Sequence, residues 1–221
     1  MDAWAHELFP SGKIMPDTFI YLGPSLSRSE ARSILQAEYL PPICRGDLAR
    51  LPDETKVVGI IDGEFFQKLA VSSKEIVTVL GRGIQVFGAA SMGALRAAET
   101  YVFGTIGVGE IFRMFKDGVL DGDDEVAVTY EPCSYKQLSD SLVNIRHILE
   151  IALAKKAIDE IEMACLLQQM KSSYFPDRSY RTLERLSPSV EACFRYSPMP
   201  DLKREDARQL LVAIRKMQQV P

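Results

Sequence analysis

Ser91 lies in Gly88-Ala89-Ala90-Ser91-Met92-Gly93, directly after an apolar run that reads as a strand and directly before one that reads as a helix. Ile84, Val86 and Phe87 favour extended chain behind Gly81 and Gly83, while Met92 to Thr100 is rich in helix formers and has no Pro. A nucleophile held on such a strand-turn-helix needs small neighbours, because larger side chains would strike the strand or cover the serine oxygen. Ala89, Ala90 and Gly93 meet that need, although the commoner motif carries Gly where Ala89 stands. The amides of Met92 and Gly93 open the helix, where unpaired N–H groups and the helix dipole suit an oxyanion. A structural role fits the same residues: serine is a favoured N-cap, and an Ala-rich turn lets helix and sheet approach closely. Anion binding is the third option.

A serine nucleophile needs a base, and beside Ser91 the catalytic candidates near predicted strand or helix ends are Asp62, Lys74 and Glu75. Asp62 adjoins Gly63 at a strand end, where a glycine permits close backbone approach. Lys74, if partly desolvated, could lose its proton and pair with serine; a lysine in the first turn of a helix is otherwise a solvated surface residue. Glu75 fits the reciprocal position of a capping box in Ser72-Ser73-Lys74-Glu75, with a role as base or orienter as the alternative. Met92, Gly93, Gly23, Ser25, Gly63 and Arg96 are the candidates for oxyanion and substrate contacts. Arg96 and Glu99, three apart on one helix, also suit an ordinary ion pair. Gly23-Pro24-Ser25 could cradle an anion but lacks the glycines and lysine of a P-loop. His147, alone in an amphipathic helix, reads as packed or solvated rather than as a base. Asp123, Asp124 and Glu125 lack the further spacing of a cation loop and read as solvated charges in a turn. Cys44, Cys133, Cys165 and Cys193 show no paired spacing and read as reduced thiols. Cys133 has no basic neighbour to activate it. No metal and no cofactor are expected.

The elements that must position these groups repeat. Thr18 to Leu22 reads as a strand, and Ser27-Arg28-Ser29-Glu30 as a capping box opening a helix through about Ala37. Lys56 to Asp62 reads as a second apolar strand, followed by the helix behind Ser72; the unit around Ser91 is the third. Repeated βα units with near-continuous apolar strands predict an α/β fold, an open parallel sheet with flanking helices in a Rossmann-like three-layer sandwich. The carboxyl ends of its strands would bring the loops at Gly23 to Ser25, Asp62 to Glu64 and Ala89 to Gly93 to one cleft. Gly109 to Lys116, Lys136 to Met170 and Asp201 to Gln218 read as helical, with Leu138, Leu142, Ile145, Leu149, Leu153 and Ile158 as an apolar stripe. Glu125 to Tyr130 reads as a strand or extended loop, and Tyr174 to Arg178 as a break. The expected organisation is an arm over residues 1–17, a core over 18–130 and a C-terminal helical annex over 131–221.

With 221 residues, 47% hydrophobic and 25% charged, the chain is long enough for one large domain. A formal charge of -4, without a basic run, gives no electrostatic footprint for nucleic acid. Apolar stretches are broken well short of membrane length, and Asp2, His6 and Glu7 stand where a signal peptide would be basic and then apolar. The chain reads as cytoplasmic, without a membrane or nucleic-acid partner.

Tyr21-Leu22-Gly23-Pro24-Ser25, Gly59-Ile60-Ile61-Asp62-Gly63, the run from Val86 to Glu99 around Ser91, Val108-Gly109, Asp123 to Val128 and Val143-Asn144-Ile145-Arg146 together resemble the TfuA-like family. The resemblance extends more weakly to Phe175-Pro176-Asp177-Arg178 and covers about residues 18 to 180. It implies partnership with a YcaO-type enzyme, which uses ATP to activate a peptide-bond oxygen during thioamide formation on a precursor peptide or protein. It further implies sulfide supply from a thiocarboxylated ThiS-type sulfur-carrier protein. On that resemblance Ser91 attacks the terminal glycyl thiocarboxylate as the nucleophile of a serine-dependent thioacid hydrolase, and the Met92 amide holds the oxyanion. The family often has a histidine before the Lys-Glu-Ile run; Ser73 precedes Lys74-Glu75-Ile76 here, so a histidine-dependent triad is not expected at that position. The alternatives are a noncatalytic adaptor that docks on the YcaO enzyme and its peptide or carrier substrate, and a nucleotide-binding subunit.

Overall fold

Five short strands build the centre of the molecule. A computed structural model describes residues 17–65 and 69–219. Strands β1 (Thr18–Tyr21), β2 (Glu38–Leu40), β3 (Val57–Ile60), β4 (Gln85–Gly88) and β5 (Ile106–Gly107) form one sheet in the order β2-β1-β3-β4-β5. Every neighbouring pair is parallel. β1 and β3 are buried at each position, which is why they read as unbroken apolar runs rather than alternating ones. The strand order is that of a doubly wound sheet that changes direction between β1 and β3, and such sheets bind ligands at the strand carboxyl ends beside that reversal. Tyr21 pairs with Ile60, and Ile60 with Gly88, so the loops after β1, β3 and β4 leave from one edge as expected.

The helices among the described residues are α1 (Arg28–Ile34), α2 (Ser73–Gly81), α3 (Met92–Thr100), α4 (Glu110–Lys116), α5 (Leu142–Ala154), α6 (Glu160–Ser172), α7 (Tyr180–Leu186), α8 (Pro188–Phe194) and α9 (Leu202–Gln218). On one face of the sheet Ile20, Leu22 and Val57 pack with Ala31 of α1 and Leu210, Leu211 and Ile214 of α9. On the other, Phe19, Val58, Ile60 and Val86 pack with Ile76 and Val79 of α2 and Met92 of α3. Helices on both faces of a parallel sheet make the three-layer α/β sandwich. Helices α5 to α8 build a separate apolar cluster around Ile145, Leu149, Met170, Leu183 and Phe194. The stretch from residue 131 therefore divides. Most of it is a helical cluster, but its last helix is a layer of the sheet, so close that a Cβ on Gly59 would lie 2.6 Å from Ile20 and 3.1 Å from Leu210. The arm expected over residues 1–17 lies, apart from Asp17, outside the described residues.

Several local expectations are revised. Ser27 Oγ accepts the Glu30 amide at 3.3 Å, but the Glu30 carboxylate turns to Arg204 and Arg208 of α9. Helix α1 stops at Ile34, short of Ala37, because the buried Tyr39 of β2 donates its hydroxyl to the Ala31 and Leu35 carbonyls at its end, both at 2.9 Å. The helical run expected over 136–170 is two helices, separated at Lys156, whose φ is +59°. Leu138 precedes the first of them and is 64% exposed, so it does not belong to the apolar stripe. The Ser72–Glu75 capping box is present in both directions. Among the described residues no helix is long and apolar enough to cross a membrane.

A buried carboxylate joins α9 to α4. Asp206 accepts the amides of Glu110 at 2.9 Å and Ile111 at 2.7 Å, and Gly109 precedes them at φ +92° because a Cβ there would lie 2.2 Å from the Asp206 carboxyl carbon. Burial raises the Asp206 pKa from 3.8 to about 6 against the pull of those amides. A carboxyl whose folded pKa exceeds its unfolded one favours folding most below the unfolded pKa and loses that contribution as pH rises through the folded value. About 2–3 kcal/mol should therefore be lost between about pH 4 and pH 6.5. Urea unfolding across that range should show the slope in the native chain and a flatter one in Asp206→Asn, even though that variant is less stable overall. An unchanged slope would exclude Asp206 as its source.

Candidate active site

The chain leaves β4 through a turn that few residues adopt. The Ser91 amide donates to the Ala89 carbonyl at 2.9 Å across Ala90, whose φ is +66°. This is a γ-turn with a left-handed central residue, a strained form for anything but glycine. Two further bonds fix it: the amides of Ser91 and Gly93 both reach the Ile61 carbonyl beyond β3, at 3.3 and 3.2 Å. Ser91 thus stands at the N-cap position of α3, but its side chain makes no cap bond. Ser91 is 3% exposed, and its hydroxyl instead donates to the Val126 carbonyl at 3.4 Å. The Gly93 amide is occupied by Ile61, whereas the Met92 amide has no acceptor among the described residues.

The same carbonyl accepts a second donor. Lys203 Nζ lies 2.8 Å from Val126 O, so the serine hydroxyl and a lysine amine meet on one acceptor. Lys203 is 1% exposed, and burial holds its pKa below the ordinary lysine value, while the nearby carboxylates of Asp62 and Asp201 act in the opposite direction. Its place in the fold is fixed twice. Asn144 of α5 accepts the Lys203 amide at 3.2 Å and donates to Asp201 at 2.9 Å, and Asp201 caps α9 by accepting the Arg204 amide. The Val126 carbonyl is positioned by its turn. Asp124 pairs with the buried Arg178 at 2.8 Å, and the fully buried Glu125 pairs with Arg146 at 3.0 Å and Lys171 at 3.6 Å. Asp124 and Glu125, expected as solvated charges, are therefore engaged by cations, and Glu125 is withdrawn from water altogether.

Asp62 is 2% exposed and fully used. It accepts Gly23 N at 2.9 Å, Ser25 N at 3.1 Å and Ser25 Oγ at 2.6 Å, which ties the β1 loop to the β3 loop at the reversal of the sheet. Gly23 and Ser25, expected as substrate contacts, thus hold Asp62. A cavity of about 300 Å³ opens in front of Ser91, Asp62 and Gly63. Tyr130 and Glu64 also line it, joined by a 2.7 Å hydrogen bond from the phenol, whose pKa burial and Glu64 raise.

Lys74, Glu75 and Arg96 are not brought to this cavity. Lys74 is exposed. Glu75 accepts from Ser72 and from the Gly46 amide, and Arg96 donates to the Val71 carbonyl and pairs with Glu99, each at 2.7 Å. His147 lies 3.9 Å from Glu150 on α5. Cys133 is exposed. Among the described residues no cluster of His, Cys, Asp or Glu suits a metal ion.

A family model described as TfuA-like protein matches residues 62–179. The chain belongs to the TfuA-like family. Comparison with curated proteins gives no match. The TfuA-like match opens at Asp62 and spans Ser91, the Val126 turn and both arginines that hold it. Lys203 lies beyond the matched segment, and sequence reasoning missed it. The available signal was a lysine on the stripe 203, 207, 210 and 214, whose other members are apolar. Glu64 and Tyr130 were missed as well, for want of any motif.

Proposed function

We propose that this TfuA-like protein supplies sulfide to a YcaO-type enzyme during peptide thioamidation by hydrolysing the terminal thiocarboxylate of a ThiS-type carrier. The observation that carries this reading is the hydroxyl of Ser91, a residue of the cavity lining, meeting the buried Lys203 amine on one carbonyl. Burial favours the neutral form of Lys203, the form that a base for serine requires. Lys203 takes the Ser91 proton as Oγ adds to the thiocarboxylate carbon, and the Met92 amide receives the developing oxyanion. The carbon–sulfur bond then breaks, and the proton held by Lys203 goes to sulfur, so hydrosulfide leaves and an acyl-serine remains. Water, deprotonated by Lys203, adds to the ester, the returning proton restores Ser91, and the carrier departs as its carboxylic acid, which ionises to the carboxylate by releasing its proton to solvent. Asp62 acts through position and charge: it joins the two loops that bound the cavity and tempers the loss of the Lys203 charge. YcaO handles ATP.

The test is to incubate the purified full chain with a thiocarboxylated ThiS-type carrier and follow conversion to carboxylate by intact mass together with released sulfide. Matched conversion and sulfide, absent from a no-protein control, are expected. Conversion no faster than the control, with or without YcaO and peptide, would refute a hydrolase.

A further inference from the structure

The cavity walls carry backbone groups with nothing to bond. Among the described residues, neither the N–H nor the C=O of Gly63, Ala127 or Val128 has a hydrogen-bond partner. All three residues line the cavity with Ser91, and Gly63 and Ala127 are buried, Ala127 to 1% exposure. Buried backbone groups are nearly always paired, because leaving one dry and unbonded costs as much as a lost hydrogen bond.

The neighbours of these residues show which way the free groups face. Ile43 donates to the Asp62 carbonyl at 3.0 Å and accepts the Glu64 amide at 3.0 Å, so residues 62 and 64 turn their groups toward Ile43. Along extended chain successive residues bond to opposite sides, and Gly63 therefore turns its own groups away from Ile43. The opposite wall repeats the pattern. Thr129 donates to Ser139 Oγ at 2.8 Å and accepts the Leu138 amide at 2.8 Å, which leaves Val128 facing the other side. The cavity thus lies between two unpaired strand edges and closes at Ser91. Pro24, Pro41, Pro42, Tyr130 and Tyr135 complete the walls of this cavity of about 300 Å³, which has room for a short extended segment.

We infer that this slot binds an extended peptide tail as an added strand, hydrogen-bonded to Gly63 on one side and to Val128 on the other, its C-terminal carbon delivered to Ser91. Main-chain pairing supplies the affinity. This deepens the hydrolase reading, on which the identity of the terminal group rests, but the pairing itself does not depend on turnover.

The probe is a synthetic heptapeptide with glycine at its last two positions and a free C-terminal carboxylate, the product form of such a tail, titrated into the ¹⁵N-labelled full chain. Binding should move the amide protons of Gly63 and Val128 downfield. Replacing one of the last two backbone amides of the peptide by an ester removes a donor and should weaken binding about five- to tenfold. No binding at millimolar peptide, binding without change at the two amides, or equal affinity for the ester analogues would each overturn the inference. Hydrolysis of a thiocarboxylated carrier is scored separately. Turnover without tail pairing removes this inference alone, and tail pairing without turnover removes the catalytic reading alone.

Discussion

Lys203→Met is expected to lower kcat/KM for thiocarboxylate hydrolysis by about 10²–10⁴-fold, the range over which a positioned base contributes. Ser91→Ala should lose at least as much, and the double variant little more than the worse single one, because the two groups act as a unit. Lys203→Arg should not restore activity, since a guanidinium does not give up its proton. The native chain should show a rate that rises with pH through one ionisation below the ordinary lysine value, because burial favours the neutral amine; neither Lys203 variant should show it. Stability separates this role from a structural one. A lysine whose folded pKa is depressed binds fewer protons in the native than in the unfolded chain, so the native state loses stability as pH falls below the unfolded value of 10.5. Removing the amine should leave the protein no less stable at neutral pH, since Asp62 keeps its three hydrogen bonds to Gly23 and Ser25. Near-native turnover by Lys203→Met would remove Lys203 from the mechanism, and a low melting temperature in that variant would make it a structural residue.

Gly93→Ala is expected to destabilise the fold by about 3 kcal/mol or more. A Cβ at this position would lie 1.8 Å from the Ile60 carbonyl oxygen and 2.5 Å from its carbon, and both are backbone atoms of β3 that cannot swing aside. Gly88 completes the contact, since its own Cβ would come within 2.2 Å of the Gly93 carbonyl. Relief would need α3 to rise off the sheet, which would pull Ser91 and Gly93 from the Ile61 carbonyl and dismantle the γ-turn. Gly81→Ala is the control. That glycine ends α2 with nothing within 4 Å of a Cβ, so alanine should be neutral or stabilising by up to about 1 kcal/mol. Urea unfolding of both variants decides the matter: a Gly93→Ala chain within 1 kcal/mol of native would show that α3 does not need this approach.

Much of the frame was readable because local rules produce it. The apolar runs at 18–22 and 56–62 are strands buried on both faces, Ser72 and Glu75 form their capping box, and the small residues around Ser91 mark the turn that holds it. Strands β2 and β5 were not foreseen, since three and two residues carry no usable period. Reading Gly93 as an oxyanion donor missed its bond to Ile61, because a helix-start amide looks free until the neighbouring strand is in place.

What the sequence by itself determined was the sandwich, the sheet edge at which Asp62 and Ser91 meet, and the family to which both belong. What only the tertiary structure decided was which amine shares an acceptor with the serine. Lys74 and Glu75 are near Ser91 in sequence but face other neighbours, whereas Lys203 arrives on a helix that packs across the far side of the same sheet. The link between Ser91 and Lys203 is the Val126 carbonyl, a backbone atom held by Arg146 and Arg178 through the turn before it. Hydrophobic period and capping act over a few residues and leave a trace in composition, but the position of a carbonyl and the burial of an amine are set by packing between distant segments.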